Sequence, residues 1–310
     1  MRSPRGEQWI GPALAVVGVL GFSFKAILIK LAYAWTPIDA VTLLALRMLY
    51  ATPFFALMAF FATARRRTVA IGKGDWGRIV WLGFIGYYLA SLVDFMGLQY
   101  VTAALERLML YLYPTLVVVL SALLYRQRIT GRILLALTLS YAGILLVFVR
   151  ELSFAGDPRV LWTGGALVFA SSFFYALYLV GAGPVIARLG TLRFIALAML
   201  VSAGFVFVQF LATRPLQALA APLRIQLLSL TMAIFSTVLP TYLIAEAIKR
   251  IGANRTSLVG SLGPVFTIWL GWMILDEPVH WIQLVGAALV LGGVALVSVR
   301  SARERALRVD

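Results

Sequence analysis

The chain has 310 residues, 62% apolar and only 13% charged, with a mean hydropathy of +0.95; a soluble domain carries about 25% charged residues, so the bilayer must be its solvent. No cysteine and one histidine, His280, exclude disulfides, thiolate metal sites and multi-histidine sites. The formal charge of +15 lies mostly between apolar runs, so it reads as a topology signal and not as a nucleic-acid surface.

Ten Leu- and Ala-rich apolar runs follow one another: residues 11–32, 38–62, 79–98, 103–125, 133–149, 161–182, 194–212, 225–248, 253–275 and 279–299. About 20 apolar residues cross the hydrocarbon as a helix. A barrel would show alternating strands of about ten residues, and these runs are continuous. The first run is too long for a signal-peptide core and lacks a small-residue cleavage site, so it is expected to be retained. The connections are short and often marked by Pro or Gly, as at Thr36-Pro37, Gly156-Asp157-Pro158 and Glu277-Pro278.

The fourth run carries adjacent charges, Glu106 and Arg107, and a proline at Pro114. The ninth places Pro264 at the matching position, and the same spacing of 150 residues relates Gly143 to Gly293 and Arg150 to Arg300. This internal repeat predicts two related five-helix halves, 11–149 and 161–299, with the loop 150–160 as the seam and 300–310 as a tail. Five is odd, so the second half enters from the opposite face. The expected fold is an all-α integral membrane protein of ten transmembrane helices arranged as two inverted five-helix repeats, an architecture suited to alternating access.

Orientation follows from the basic residues. With a cytoplasmic amino terminus, most of the 27 Lys and Arg fall inside, from Arg2 and Arg5 through Arg65–Arg67 and Lys249-Arg250 to the Arg300–Arg308 tail. Only Arg150, Arg159, Arg214 and Arg224 fall outside. Both termini are therefore expected in the cytoplasm of a cell whose inner membrane holds the protein.

An ionisable group inside a spanning helix costs about 2.5–3.5 kcal/mol and marks a bundle interior or a wet cavity. Here these are Lys25 and Lys30, Arg47, Asp94, Glu106, Arg107 and Glu246. Lys30 is near a helix end and is expected to snorkel to the interface, and Glu246 to be solvated there. Polar stripes accompany the charges: Tyr87, Ser91 and Asp94 in the third run, Arg107, Tyr111 and Pro114 in the fourth, Ser171, Tyr175 and Tyr178 in the sixth, and Asn254, Ser257, Ser261 and Pro264 in the ninth. The eighth adds Ser236, Thr237, Thr241 and Tyr242 around Pro240. For any one Ser or Thr the plainer reading is a bond to its own helix or a packing contact. Each proline removes a helix hydrogen bond and frees a carbonyl, which must line a cavity or find a partner.

Several short motifs in order give the chain a family resemblance: Gly21 with Lys25 and Lys30, Leu46-Arg47, Gly97-Leu98-Gln99-Tyr100, Pro114 and Pro264, Gly131 with Gly143, and Asp276-Glu277-Pro278 before Gly292-Gly293. It resembles the EamA-type drug/metabolite transporters over nearly its whole length. The resemblance implies ten helices, a central cavity lined mainly by helices 1, 3, 4, 6, 8 and 9, and commonly export. One departure is that Arg126-Gln127 stands where the family usually has an acid after the fourth helix, while its counterpart Glu277 is present.

No phosphate-binding loop of the G-x-x-x-x-G-K-[ST] type occurs, so a secondary transporter without ATP hydrolysis is expected, needing no cofactor or metal. The expected solute is a small metabolite, amino-acid-like or amphipathic, moved outward. Its binding residues are expected among Lys25, Tyr87, Tyr88, Ser91, Asp94, Arg107, Tyr111, Ser171, Tyr175, Tyr178, Ser257 and Ser261. Coupling or gating is assigned to Asp94, Glu106, Arg47, Pro114 and Pro264. The expected partners are the solute and the lipid bilayer, with the chain a monomer or homodimer and no nucleic acid bound. The rivals are an integral-membrane lipid-modifying enzyme, which would want histidines or clustered acids near one interface, and a non-catalytic scaffold, which leaves the deep charges without a role.

Overall fold

The computed structural model describes residues 4–64, 69–124, 126, 130–154 and 156–306, with side chains described except at 4–8, 154, 253–254, 257–258 and 297–306. Among the described residues all regular structure is helical. Eight helices are long and apolar enough to span a bilayer. We label them in chain order with two shorter ones: α1 (Pro4–Trp35), α2 (Ala40–Ala64), α3 (Lys73–Gly97), α4 (Ala103–Leu124), α5 (Gly131–Phe154), α6 (Pro158–Leu189), α7 (Thr191–Thr213), α8 (Leu223–Gly252), α9 (Gly263–Leu275) and α10 (Trp281–Ala306).

Three boundaries differ from the sequence expectation. The seam between halves is shorter than 150–160, because helix persists to Phe154 and resumes at Pro158, where Asp157 caps it by accepting from the Arg159 amide. The ninth run is not one span. A helical stretch from α8 reaches Gly260 across a non-helical Gly252 (φ 82°), and a turn at 261–262 precedes α9, which has 13 residues. Thirteen residues rise only about 20 Å. The last helix continues to Ala306, into the stretch expected as a tail.

The breaks themselves repeat. π-helical turns occupy Phe84–Leu89 in α3 and Ile234–Val238 in α8. Turns at 111–112 and 261–262 each precede a proline in the first turn of the helix that follows, Pro114 and Pro264. Proline is tolerated there because it interrupts nothing already formed. The packing repeats as well. α1 runs along α8 as α3 runs along α6; α1 meets α9 as α4 meets α6; and α2 meets α8 as α3 meets α7. The pairs α2 with α7 and α5 with α10 close the pattern, which maps onto itself when each helix is exchanged for the one five places away.

Glycines set the closest approaches. A Cβ on Gly143 would meet the Gly286 carbonyl at 2.6 Å, and one on Gly21 the Phe235 carbonyl at 2.7 Å. Small residues let backbones approach where lipid tails offer no hydrophobic drive to pack helices. The α5–α10 pair exposes Leu134, Leu135, Leu145, Leu284 and Val285, as helices at the lipid boundary should.

Candidate functional site

The deep charges of α1, α2, α3 and α4 meet in the bundle interior. Lys25 Nζ is 2.6 Å from Asp94 Oδ2 and 3.4 Å from Glu106 Oε1. Asp94 and Glu106 are essentially buried, their side chains 2% and 0% exposed. Asp94 Oδ1 and both Glu106 oxygens have no hydrogen-bond donor among the described residues, so the lysine is what keeps two carboxylates tolerable in a dry interior. Arg47 is buried too. Its Nη2 donates to Ser91 Oγ at 3.3 Å, and its guanidinium lies 4.8 Å from the Phe95 ring centroid.

Arg107 shares with Arg47 a buried Nε without an acceptor, but unlike Arg47 it is partly exposed. No carboxylate lies within 4.0 Å of it among the described residues. Its Nε is buried without an acceptor, and its guanidinium sits 5.4 Å from the Tyr111 ring. A Cβ on Gly263 would fall 2.6 Å from Arg107 Nη2 and 2.8 Å from the Tyr111 hydroxyl, so this glycine leaves the room both side chains occupy. From Tyr111 an aromatic chain continues to Tyr113 at 6.1 Å, Tyr175 at 5.2 Å and Tyr178 at 5.6 Å. It ends at Tyr87, whose hydroxyl is 3.0 Å from that of Tyr178.

Two carbonyls left open by the breaks before Pro114 and Pro264 find hydroxyl donors on other helices. The Leu110 carbonyl, opposite Pro114, accepts from Ser172 Oγ at 3.2 Å. The Gly260 carbonyl, opposite Pro264, accepts from the Tyr111 hydroxyl. Ser23 of α1 bonds the Gly263 carbonyl at 3.1 Å. These bonds tie α1, α4, α6 and α9 around the charged cluster.

The sequence-predicted residues therefore divide. Lys25, Asp94, Glu106, Arg47 and Ser91 form one group, and Arg107, Tyr111, Tyr175, Tyr178 and Tyr87 form the adjoining one. Tyr88 turns elsewhere, against Phe84 and Phe205. Ser171 is buried, while its neighbour Ser172 makes the cross-helix bond. Ser261 lies in the turn before α9. The side chains of Ser257 and Asn254 lie outside the described residues. The α8 hydroxyls follow the plainer reading: Ser236 and Thr237 bond the Met232 carbonyl, Thr241 bonds that of Thr237, and Tyr242 is exposed. Lys30 does not snorkel. It turns inward to donate to the Val101 carbonyl at 2.9 Å, because the chain entering α4 leaves that carbonyl outside regular helix.

Sequence reading missed Tyr113, Ser23, Ser172, Tyr33 and Glu151. Tyr113 falls off the Arg107–Tyr111 stripe because the turn at 111–112 rotates the helix that follows. Ser23 and Ser172 make the cross-helix bonds already described, and Tyr33 and Glu151 belong to a seal at the Trp35 end of α1. There Tyr33 donates to the Phe95 carbonyl, Thr102 to Glu151, and the Ala103 amide to Glu277. The sequence signal for the last was Glu277 itself, the acid whose counterpart is Gln127.

The EamA-like transporter family model matches residues 9–149 and again 162–299. An uncharacterized transporter, YcbK of Bacillus subtilis (strain 168), is 31% identical over 297 residues, covering 94% of this chain and 92% of the relative. An uncharacterized transporter of Synechocystis sp., sll1319, is 22% identical and covers 96% of both chains. A crystal structure of a protein superposes with a TM-score of 0.63 at 20% identity, over 97% of this chain and 99% of that one, a likeness of fold alone.

Proposed function

The chain belongs to the EamA-like transporter family and is a multi-pass membrane protein, and from that premise we propose that it is a secondary transporter exporting a small amphipathic metabolite by alternating access. The solute carries a polar head group, amino-acid-like or otherwise charged, and an apolar body. Ten spans form two inverted five-helix halves, with both termini in the cytoplasm. The recurrence of the π-turns and proline breaks at one spacing, and packing that survives exchange of the halves, support that arrangement. The basic residues concentrated on one face support the orientation.

One observation supports the mechanism: the apolar side chains packed beside the charged cluster toward the Trp35 end are almost wholly buried, although Lys30, Tyr33 and Thr102 at that end are partly exposed. Toward the Trp35 end, Ile27, Ile29, Phe95, Leu98, Ala103, Leu105 and Leu270 are all at most 1% exposed. Toward the other end Phe24, Tyr87, Tyr113 and Tyr175 are each partly exposed. In this conformation a solute reaches Arg107 and the tyrosines from the amino-terminal face, the cytoplasmic one in the proposed orientation. Export then requires the Lys30–Val101, Tyr33–Phe95 and Glu277–Ala103 bonds to open and the tyrosine side to close.

The absence of cysteine makes the topology directly testable. Single cysteines at Gly156 and Gly72 are expected to react with a membrane-impermeant thiol reagent from outside and from inside, respectively; the reverse pattern overturns the orientation. Purified protein in vesicles is expected to show counterflow of at least one component of a pooled metabolite extract. Folded protein with no counterflow of any component would count against transport itself.

A further inference from the structure

We propose that the transported solute's head group is a single anion, held by Arg107 with the solute's flat apolar body against the tyrosines, and that it carries no ammonium group. This rests on the transporter reading and narrows it. Five ionisable side chains meet in the interior: Lys25, Arg47 and Arg107 against Asp94 and Glu106. Three basic side chains face two acidic ones. The lysine is bound to both carboxylates, at 2.6 and 3.4 Å. Those carboxylates are buried to the point that a solute ammonium has no oxygen to reach. Arg47 is enclosed between Ser91 and the Phe95 ring.

Arg47 lacks an acid as well but is enclosed, so the cation a solute can reach is Arg107. It alone of the five combines partial exposure with the lack of any acidic or carbonyl partner among the described residues. A guanidinium offers a planar fork of donors that matches a carboxylate or sulfonate in two parallel bonds. Inside a bilayer an unpaired cation is costly, so an anion that pairs it gains more here than in water. The aromatic chain Tyr111–Tyr113–Tyr175 begins at the same guanidinium and presents ring faces and edges for a flat apolar body. A zwitterion would have to bring its ammonium beside an arginine whose neighbouring acids are already paired.

The test uses the purified full chain with three probes of one shape and different charge, benzoate, benzamide and benzylamine, and the zwitterion phenylalanine as a fourth. Binding is read by thermal shift in detergent and by inhibition of counterflow in vesicles. Benzoate is expected to protect and compete at least about tenfold better than the other three, a difference of ~1.4 kcal/mol. R107Q should erase that preference. R107K should keep part of it, since the charge remains and the fork is lost. Gly263→Ala, which crowds Arg107 without touching charge, should weaken benzoate in the same direction. Preference for benzylamine or phenylalanine, no benzoate response from folded protein, or an R107Q protein that still prefers benzoate would overturn the inference. If counterflow of other metabolites continues in that case, the transporter reading stands and only the anionic head group falls.

Discussion

The two halves share their backbone breaks but not their chemistry. At the shared spacing, Glu106 of α4 corresponds to Thr256, which bonds the Gly252 carbonyl of its own helix, and Asp94 of α3 corresponds to Ile244. The first half holds every deep charge of the interior cluster; the second supplies Tyr175, Tyr178, Gly263 and the Gly260 carbonyl that surround it. On the proposed reading, two inverted halves that move against each other need the same breaks in both, whereas the solute needs only one set of charges. A second buried set would add insertion cost without adding a function.

Removing the charge that holds the first half together should have the largest effect. Lys25→Met strands two buried carboxylates, and thermal melts in detergent should show a loss of about 3–5 kcal/mol. Adding Asp94→Asn and Glu106→Gln to that variant should recover most of it, since an isosteric neutral set removes the burial penalty. If Lys25→Met melts like the parent, the acids are not held as described.

The contribution of the second half is tested next by Tyr111→Phe, which leaves the Gly260 carbonyl opposite Pro264 without its donor. A cost of about 1–3 kcal/mol in the same assay is expected for a stranded buried acceptor. Tyr87→Phe removes one bond between two hydroxyls that can each re-orient, so about 1 kcal/mol is expected. A larger effect for Tyr87→Phe than for Tyr111→Phe would show that the Gly260 carbonyl does not depend on the Tyr111 hydroxyl as described.

The smallest effect should lie at a partly exposed contact away from the charged cluster. Asp39 caps α2 through the Val41 and Thr42 amides and pairs with Arg214 at 3.2 Å. Partial burial pushes its carboxyl up, but the bonds from Thr42 and Arg214, with the arginine's charge, outweigh it and hold the group below its ordinary value. A depressed carboxyl contributes stability that is present above its unfolded-state value and lost as pH falls through the lower folded-state one. Melts of the parent below about pH 4 should therefore fall slightly faster than those of Asp39→Asn, and salt should shrink the difference.

Much of the site was legible as residue types. The pairing Lys25 with Asp94 and Glu106 joins charges singled out in the sequence, and Arg107 with Tyr111 lies on one predicted stripe. What misled the stripes was continuity. They assume an unbroken helix, and the turn at 111–112 resets the register, so Tyr113 joins the cluster; Tyr88, a candidate that lay off every stripe, packs elsewhere. The α8 hydroxyls mimic a polar face in sequence but are satisfied within their own helix.

The sequence by itself determined the solvent and the helical class, because hydropathy over 20 residues is a local property of the chain. Only the tertiary structure decided which charges are paired and which is left over. That depends on distances of a few ångströms between side chains far apart in sequence, where a carboxylate at 2.6 Å from Lys25 is occupied and the Arg107 guanidinium, with no acid within 4.0 Å among the described residues, is not.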